Sequence, residues 1–313
     1  MFRKNKTLLI IAGPTAVGKT DLCINLAKKF NTCIVSADSR QFYKEINIGT
    51  AKPTDAQLAA AEHFFINNLS IKESYDVGKY EADALRLLDH LFKSQSLVIL
   101  TGGSGLYLDA VSKGFDAIPE VDKSIRSGLN LLYQQDGIVG LQERLNQLDP
   151  VYYEKVDLNN PQRIIRALEV CLGTGRPFSS FRIKKETERP FDTIKIALER
   201  NREELYARID DRMDQMIAAG LFEEAKVLYP FRDYNALQTV GYREVFGYLE
   251  GQYDKDKAIE LLKRNSRRYA KRQLTWFRKD EDYHWFHPSQ IQEITDLIAD
   301  HIGECPNNPA TKL

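Results

Sequence analysis

The run TLLIIAGPTAVGKTDLCINLAKKF (7–30) decides the fold. TLLIIA is a continuous apolar run without polar alternation, the pattern of a strand buried on both faces. GPTAVGKT (13–20) follows at the GxxxxGK[ST] spacing, which makes a loop whose backbone N–H groups ring phosphate oxygens. Lys19 adds a point charge and Thr20 can hold Mg2+. The next helix points its positive end at the same place. That helix is legible too: Leu22, Leu26 and Phe30 recur every fourth residue, Lys28 and Lys29 suit its last turn, and Asn31 can end it. Read alone, the loop says phosphate and no more. ATP for a kinase or motor fits it, and so does a diphosphate whose organic tail is transferred.

Working outward, TCIVS (32–36) and SLVIL (96–100) read as further short strands. Between them, 78–95 reads as a helix with Leu85, Leu88 and Phe92 on one side. Strands alternating with helices imply a parallel sheet covered on both faces. From 114 to 193 there is helical periodicity with turn signals and no convincing strand, as in NPQRIIRALEVCLGTGRP (160–177). TIKIALE (193–199) returns to a strand. Helices are expected at 202–219, 221–229, 235–249, 254–279 and 288–302, before a polar tail (304–313) that reads as disordered. The expected architecture is α/β: a P-loop NTPase-like parallel-sheet core, 1–113 and 194–313, interrupted by a helical insertion domain, 114–193.

With 313 residues, 43% of them apolar, the chain can bury a sizeable core. Its 44 basic and 44 acidic residues balance, so any surface for an anionic partner must be local. The four cysteines form no C-x-x-C pair and the histidines are scattered, which argues against zinc and for a reducing compartment. MFRKNKTLLIIAG resembles a signal peptide, but its apolar run breaks at Gly13-Pro14 and leads into the phosphate loop, so it reads as the first strand. No apolar stretch has the roughly 18 residues of a membrane helix. A soluble, cytoplasmic protein is expected.

Five other stretches carry chemistry. SADSRQFYKEINIGTAKP (36–53) begins where the second strand ends, at the carboxyl edge of the sheet where open α/β folds bind ligands. Asp38 there could accept a proton or position a metal, or could merely cap a helix. Arg40, Gln41, Thr50 and Lys52 make the loop polar. TGGSGLY (101–107) would let a ligand approach the backbone, flanked by Ser104 and Tyr107, or would simply turn a strand into a helix. KRNSRRYAKRQLTWFRK (263–279) holds eight cations, interleaved aromatics and no acid. Such a helix suits phosphate backbones and stacked bases, or else a solvated face anchored by its aromatics. NNPQRIIRALE (159–169) sets Arg163 and Arg166 one turn apart. In LYARIDDRMDQM (205–216), Arg208 and Arg212 are neighbours that could close on a leaving phosphate, or could pair with Asp211 or Asp214.

Together GPTAVGKT, DSRQFY, GTAKP, GGSGLY, NPQRIIRALE, QTVGYRE (238–244) and RYAKRQLTWFR (268–278) resemble the tRNA dimethylallyltransferase family, in order along nearly the whole chain. One strip departs: EHFFINNLS (62–70) stands where the family has a His-His-Leu-Ile-Asp run. The resemblance implies transfer of a dimethylallyl group from dimethylallyl diphosphate to N6 of adenosine 37 in tRNAs reading codons that begin with U, giving i6A37 and diphosphate. It implies a monomer with Mg2+, whose loop is of the nucleotide-binding, ATP-binding type. The diphosphate would lie on Gly13, Pro14, Thr15, Ala16, Val17, Gly18, Lys19 and Thr20, with Thr15 and Lys19 in the catalytic set. Asp38 would be the general base, and Arg208 or Arg212 would neutralise the leaving group. The tRNA anticodon stem-loop would meet Asp38, Ser39, Arg40 and Gln41, then Ser104, Arg126, Gln162, Arg163, Ile164, Ile165 and Arg166. It would also meet Gln238, Thr239, Val240, Gly241, Tyr242 and Arg243. The last group is Lys271, Arg272, Gln273, Leu274, Thr275, Trp276, Phe277 and Arg278. The rival readings are a P-loop small-molecule kinase, which has no use for the cationic helix, and an RNA-binding ATPase, for which VILTGG supplies no Walker-B carboxylate.

Overall fold

The computed structural model describes residues 6–116, 118–183 and 187–303; the polar tail lies outside them. In chain order, the first half of the core contains β1 (Thr7–Ala12), α1 (Lys19–Lys29), β2 (Ile34–Ser36), α2 (Asp55–Ala60) and β3 (His63–Phe64). It continues with α3 (Val77–Leu91), β4 (Leu97–Gly102) and α4 (Gly105–Lys113). The middle segment contains α5 (Lys123–Leu148), α6 (Pro150–Tyr153) and α7 (Pro161–Thr174). The chain then returns through β5 (Asp192–Leu198), α8 (Arg202–Ala218), α9 (Leu221–Leu228), α10 (Tyr242–Leu249), α11 (Lys255–Phe277), β6 (His284–Phe286) and α12 (Ile291–Ile302). The sheet order is β3-β2-β4-β1-β5-β6, and every pairing is parallel.

The apolar run of β1 is explained by its central position. Leu8 and Ile10 feed one core with Phe42, Tyr80, Leu237 and Tyr242, while Leu9 and Ile11 feed the opposite one with Leu22, Leu26, Ile209 and Ile298. A strand with a core on each face has no polar side to alternate. Each of these fully buried aliphatic side chains contributes roughly 1.5–3 kcal/mol.

Two short edge strands, β3 and β6, carry no sequence signal of their own. The helix expected over 235–249 is broken. Residues Asn235–Leu237 form a 3-10 turn, and α10 starts only at Tyr242. Gly241 has φ +106°, and the buried Glu244 carboxylate accepts its N–H at 2.8 Å, so the chain is reset there.

The chain divides into two compact units, Gly114–Thr187 and the rest. The middle unit ends ahead of the 193/194 boundary expected from the sequence, because β5 already begins at Asp192. It has its own core of Leu129, Leu141, Leu145, Ile164, Ile165 and Leu168. Asp149, fully buried, ties that core by accepting from Tyr152 N at 3.0 Å, Ser179 N at 2.6 Å and Ser179 Oγ at 2.7 Å.

Candidate active site

The carboxyl ends of β1, β2 and β4 open onto a cavity of about 630 Å3, lined by the phosphate loop, Asp38, Gly103, Arg208, Arg212, Thr239 to Gly241, Tyr269 and Gln273. Gly13 (φ +149°) could not be another residue: a Cβ there would lie 2.9 Å from Leu198 O. Gly18 (φ +112°) hands the chain to α1. The carbonyls of the loop are taken by cations. Lys19 Nζ donates to Gly13 O and Pro14 O at 2.8 Å each, Arg208 Nε to Ala16 O at 2.9 Å, and Arg200 Nε to Val17 O at 2.8 Å. Thr15 N donates to Gln273 and Val17 N to Pro14 O, and with the loop's oxygens turned toward cations its other N–H groups are left for an anion. Arg200, which pairs with Glu204, was not singled out in the sequence.

Burial pushes the Lys19 ammonium down to about 8, Asp38 pulls it back up, and the nearby Arg212 pushes it further down. Arg212 is lowered by burial and by Arg208, and raised by Asp38. Lys19, Asp38, Arg208 and Arg212 therefore share one electrostatic site. Among the described residues neither Arg208 nor Arg212 pairs with Asp211 or Asp214; Asp214 is held by Lys263 and Asp211 accepts from Gln215. The sign of the pH effect follows. The Lys19 charge is complete below about pH 8 and lost as pH rises through it. Affinity for inorganic diphosphate, measured by calorimetry on the free protein, is expected to fall up to about tenfold per pH unit above that point. A flat profile from pH 7 to 9.5 would contradict this.

Asp38 caps a turn rather than a helix: Oδ1 accepts from Arg40 N at 3.0 Å. It stays half-buried at the cavity wall. Its neighbours are pinned. Arg40 Nη1 donates to Asn235 O at 2.7 Å, Gln41 Nε2 to Ala51 O at 3.4 Å, and Ser39 N to Ser104 Oγ at 3.4 Å. The divergent strip has a local role here. Asn67 N donates to Gln41 O at 3.1 Å, and Asn67 Oδ1 accepts from Lys52 Nζ at 2.5 Å. Tyr269 faces Asp38, and burial followed by that carboxylate pushes its hydroxyl up to about 12. Tyr107, expected beside a ligand, is half-buried and is not among the residues that line the cavity. It packs against Phe42 and Tyr80, with ring centroids 5.8 and 5.1 Å away.

The cationic helix α11 is more divided than its sequence implies. Lys263 pairs with Asp214, Arg267 with Asp210 and Arg278 with Glu199. Arg268, Lys271 and Arg272 remain exposed together, with Thr275 beside them. Several residues expected at tRNA face inward instead. Phe277 is 1% exposed in the core on the Leu8 and Ile10 side of β1, and Leu274 packs half-buried against the opposite core. Gln273 is 6% exposed and bridges two loops, accepting from Thr15 N at 3.0 Å and donating to Gly103 O at 2.9 Å. Trp276, by contrast, is 38% exposed; it donates to Asp109 at 2.9 Å and covers Gly105, where a Cβ would meet its ring at 2.2 Å. Gly103, where a Cβ would lie 2.1 Å from Gln273 Nε2, and Gly105 thus admit α11, while Gly102 gives room to Ala37.

In QTVGYRE, Gln238 and Arg243 are exposed, but Tyr242 is fully buried. In the middle unit, Ile164 and Ile165 are core residues at 0% exposure, so their side chains pack rather than face solvent. Arg163 is exposed. Arg126 donates to Glu169 and to Gln162, both at 2.8 Å, and Arg166 lies 3.6 Å from the same Glu169. Glu169 was not anticipated; it arrays these polar residues on one face.

Residues 41–280 match the model of the IPP transferase family. The tRNA dimethylallyltransferase of Cytophaga hutchinsonii is 51% identical over 96% of this chain and 99% of its own. The tRNA dimethylallyltransferase 1 of Bacteroides fragilis is 49% identical over 95% and 99%. Among solved structures, the tRNA isopentenylpyrophosphate transferase of Bacillus halodurans has a TM-score of 0.71 at 37% identity, covering 95% of this chain and 97% of that one. A eukaryotic dimethylallyltransferase acting on tRNA has a TM-score of 0.76 at 28% identity, covering 97% and 81%. With a family match over most of its length and relatives this similar across nearly all of it, the chain belongs to the IPP transferase family.

Proposed function

We propose that this chain is a tRNA dimethylallyltransferase that moves the dimethylallyl group of dimethylallyl diphosphate onto N6 of adenosine 37 in tRNAs reading U-initial codons. The observation that carries the reading is one cavity in which a phosphate loop, three arginines (Arg40, Arg208 and Arg212) and Asp38, half-buried where the lining carboxylates Asp21 and Asp211 are exposed, face the same space. The diphosphate lies on the loop N–H groups, Lys19 and Arg212. As the allylic C–O bond breaks, these groups take up the charge that develops on the leaving oxygen, in a site partly closed to water. N6 of the adenine forms the new C–N bond and gives its proton to Asp38, and diphosphate leaves. The base must be flipped from its loop to reach this point. No covalent intermediate is needed, because allylic resonance carries the positive charge that develops on carbon.

Thr20 lines the cavity at the head of α1, and among the described residues there is no cluster of His, Cys, Asp and Glu able to hold a metal alone. That donor set fits Mg2+, which prefers one protein oxygen plus substrate phosphates. When bound it would neutralise diphosphate charge, held by Thr20 and the donor itself.

Arg268, Lys271 and Arg272, exposed side by side with the Arg272 guanidinium 5.7 Å from the Tyr269 ring centroid, form the cationic face toward the tRNA backbone, and the helical insertion grips the anticodon stem-loop. The protein acts as a monomer in the cytoplasm. Lys271→Ala is expected to weaken tRNA binding and to lower the slope of log K against log salt by about 1. An unchanged slope would make this face a merely solvated one.

The test is purified protein with Mg2+, labelled dimethylallyl diphosphate and an unmodified tRNA transcript, with and without A37 replaced by G. Label is expected only in the A37 transcript. Absence of label, with ATP consumed on a small alcohol, would replace the reading with that of a kinase.

A further inference from the structure

We infer that Glu224 is a positioning residue for the transfer step, acting through the Asn47–Ala51 loop on Arg212; this rests on the transfer reading above. Glu224 lies on α9, outside every motif quoted from the sequence. Its carboxylate collects four donors. Oε2 accepts from Asn47 N at 3.0 Å and Ile48 N at 2.9 Å, and Oε1 accepts from Gly49 N at 3.0 Å and from Tyr242 Oη at 2.5 Å.

Three consecutive N–H groups bound to one carboxylate fix the start of the 3-10 turn Ile48–Thr50. The turn ends at Ala51, whose φ of +45° is left-handed. That conformation costs a non-glycine residue and persists only where its surroundings impose it. Its consequence is the direction of Ala51 O, which accepts from Arg212 Nη2 at 3.2 Å and from Gln41 Nε2 at 3.4 Å. This carbonyl is the hydrogen-bond partner that aims Arg212 into the cavity. The other parts of the clamp are shaped to admit it. A Cβ on Gly49 would sit 2.6 Å from the Tyr242 ring, so Gly49 and Tyr242 are fitted to each other. The inward-facing Tyr242 of QTVGYRE and the glycine of GTAKP therefore serve one device, whose output is the orientation of Arg212.

A charge-assisted clamp over three amides holds far more tightly than one neutral contact. Arg212 is useful only if its guanidinium meets the leaving oxygen as charge develops, and small displacements there cost large factors. The device thus converts packing between α9 and the loop into rate.

The test is a double-mutant cycle in single-turnover transfer at saturating donor and tRNA. Glu224→Gln is expected to slow transfer about thirtyfold, as loss of an outer-shell partner does. Arg212→Met is expected to slow it by about a hundredfold to a thousandfold. The double variant should be within about threefold of Arg212→Met alone, because Glu224 then has nothing to aim. With Arg208→Met, whose partner is Ala16 O in the phosphate loop, the losses should multiply. Multiplying losses with Arg212→Met would overturn the inference. If Glu224→Gln does not fold, Tyr242→Phe removes one donor and should show the same non-multiplying pattern at smaller amplitude; multiplication there overturns it equally. No transfer by the unaltered protein would instead refute the transfer reading itself.

Discussion

Asp38→Asn is expected to lower the single-turnover transfer rate by about a hundredfold to ten thousandfold, the range of a lost general base. The affinity for tRNA should stay unchanged. Asn keeps an oxygen for Arg40 N, so the turn survives and the change is chemical. It cannot take the N6 proton. A second effect follows from the shared electrostatics. Asp38 is what holds the Lys19 ammonium up, so in the variant the Lys19 titration moves below about 8. Donor binding should then weaken at a lower pH than in the unaltered protein, which is why the rate comparison belongs at saturating donor near pH 7. A rate within threefold of the unaltered protein would remove Asp38 as the base.

Lys19→Met should lose transfer by roughly a thousandfold, with little change in thermal stability. Removing a preorganised positive group from a leaving-group site costs about a hundredfold to a thousandfold, and here the same group also binds the ground-state diphosphate. Stability is a balance. In the fold the ammonium is lowered toward about 8, whereas in the unfolded chain it keeps its usual value. Below pH 8 the fold therefore bears a buried charge that methionine would not. Against that relief stand two charge-assisted hydrogen bonds, to Gly13 O and Pro14 O, of about 1.5–3 kcal/mol each. Differential scanning calorimetry and transfer kinetics on the same preparation check this. Unchanged transfer would contradict the assignment, and a collapsed melting point would mean that the lysine serves the fold first.

What could be read from the sequence was what is local. β1, the phosphate loop and α1 follow each other without interruption, so the apolar run, the glycines and the helical face all report on one place. Asp38 was placed by the same logic, two residues beyond β2 at the sheet edge. The clamps that shape the cavity could not be read, because their partners are far apart in the chain. Gln273 reaches the backbone of Thr15 across 258 positions, Arg200 reaches Val17 across 183, and Glu224 reaches Gly49 across 175. The stripe on α11 shows the same limit. Its charges are visible, but not that Asp210 and Asp214 of α8 come across to meet two of them. Edge strands of two or three residues are set by their neighbours' hydrogen bonds rather than by their own composition, so β3 and β6 appear only in the folded sheet.

The most direct measurement of the central claim follows both products of one turnover. The protein, Mg2+, dimethylallyl diphosphate and an unmodified tRNA are mixed. Released diphosphate is counted against N6-dimethylallyladenosine recovered from position 37 of the digested tRNA. Equal amounts of the two, with none of either when tRNA is omitted, are the predicted result. Diphosphate released without modified nucleoside, or modification at another nitrogen or position, would contradict it.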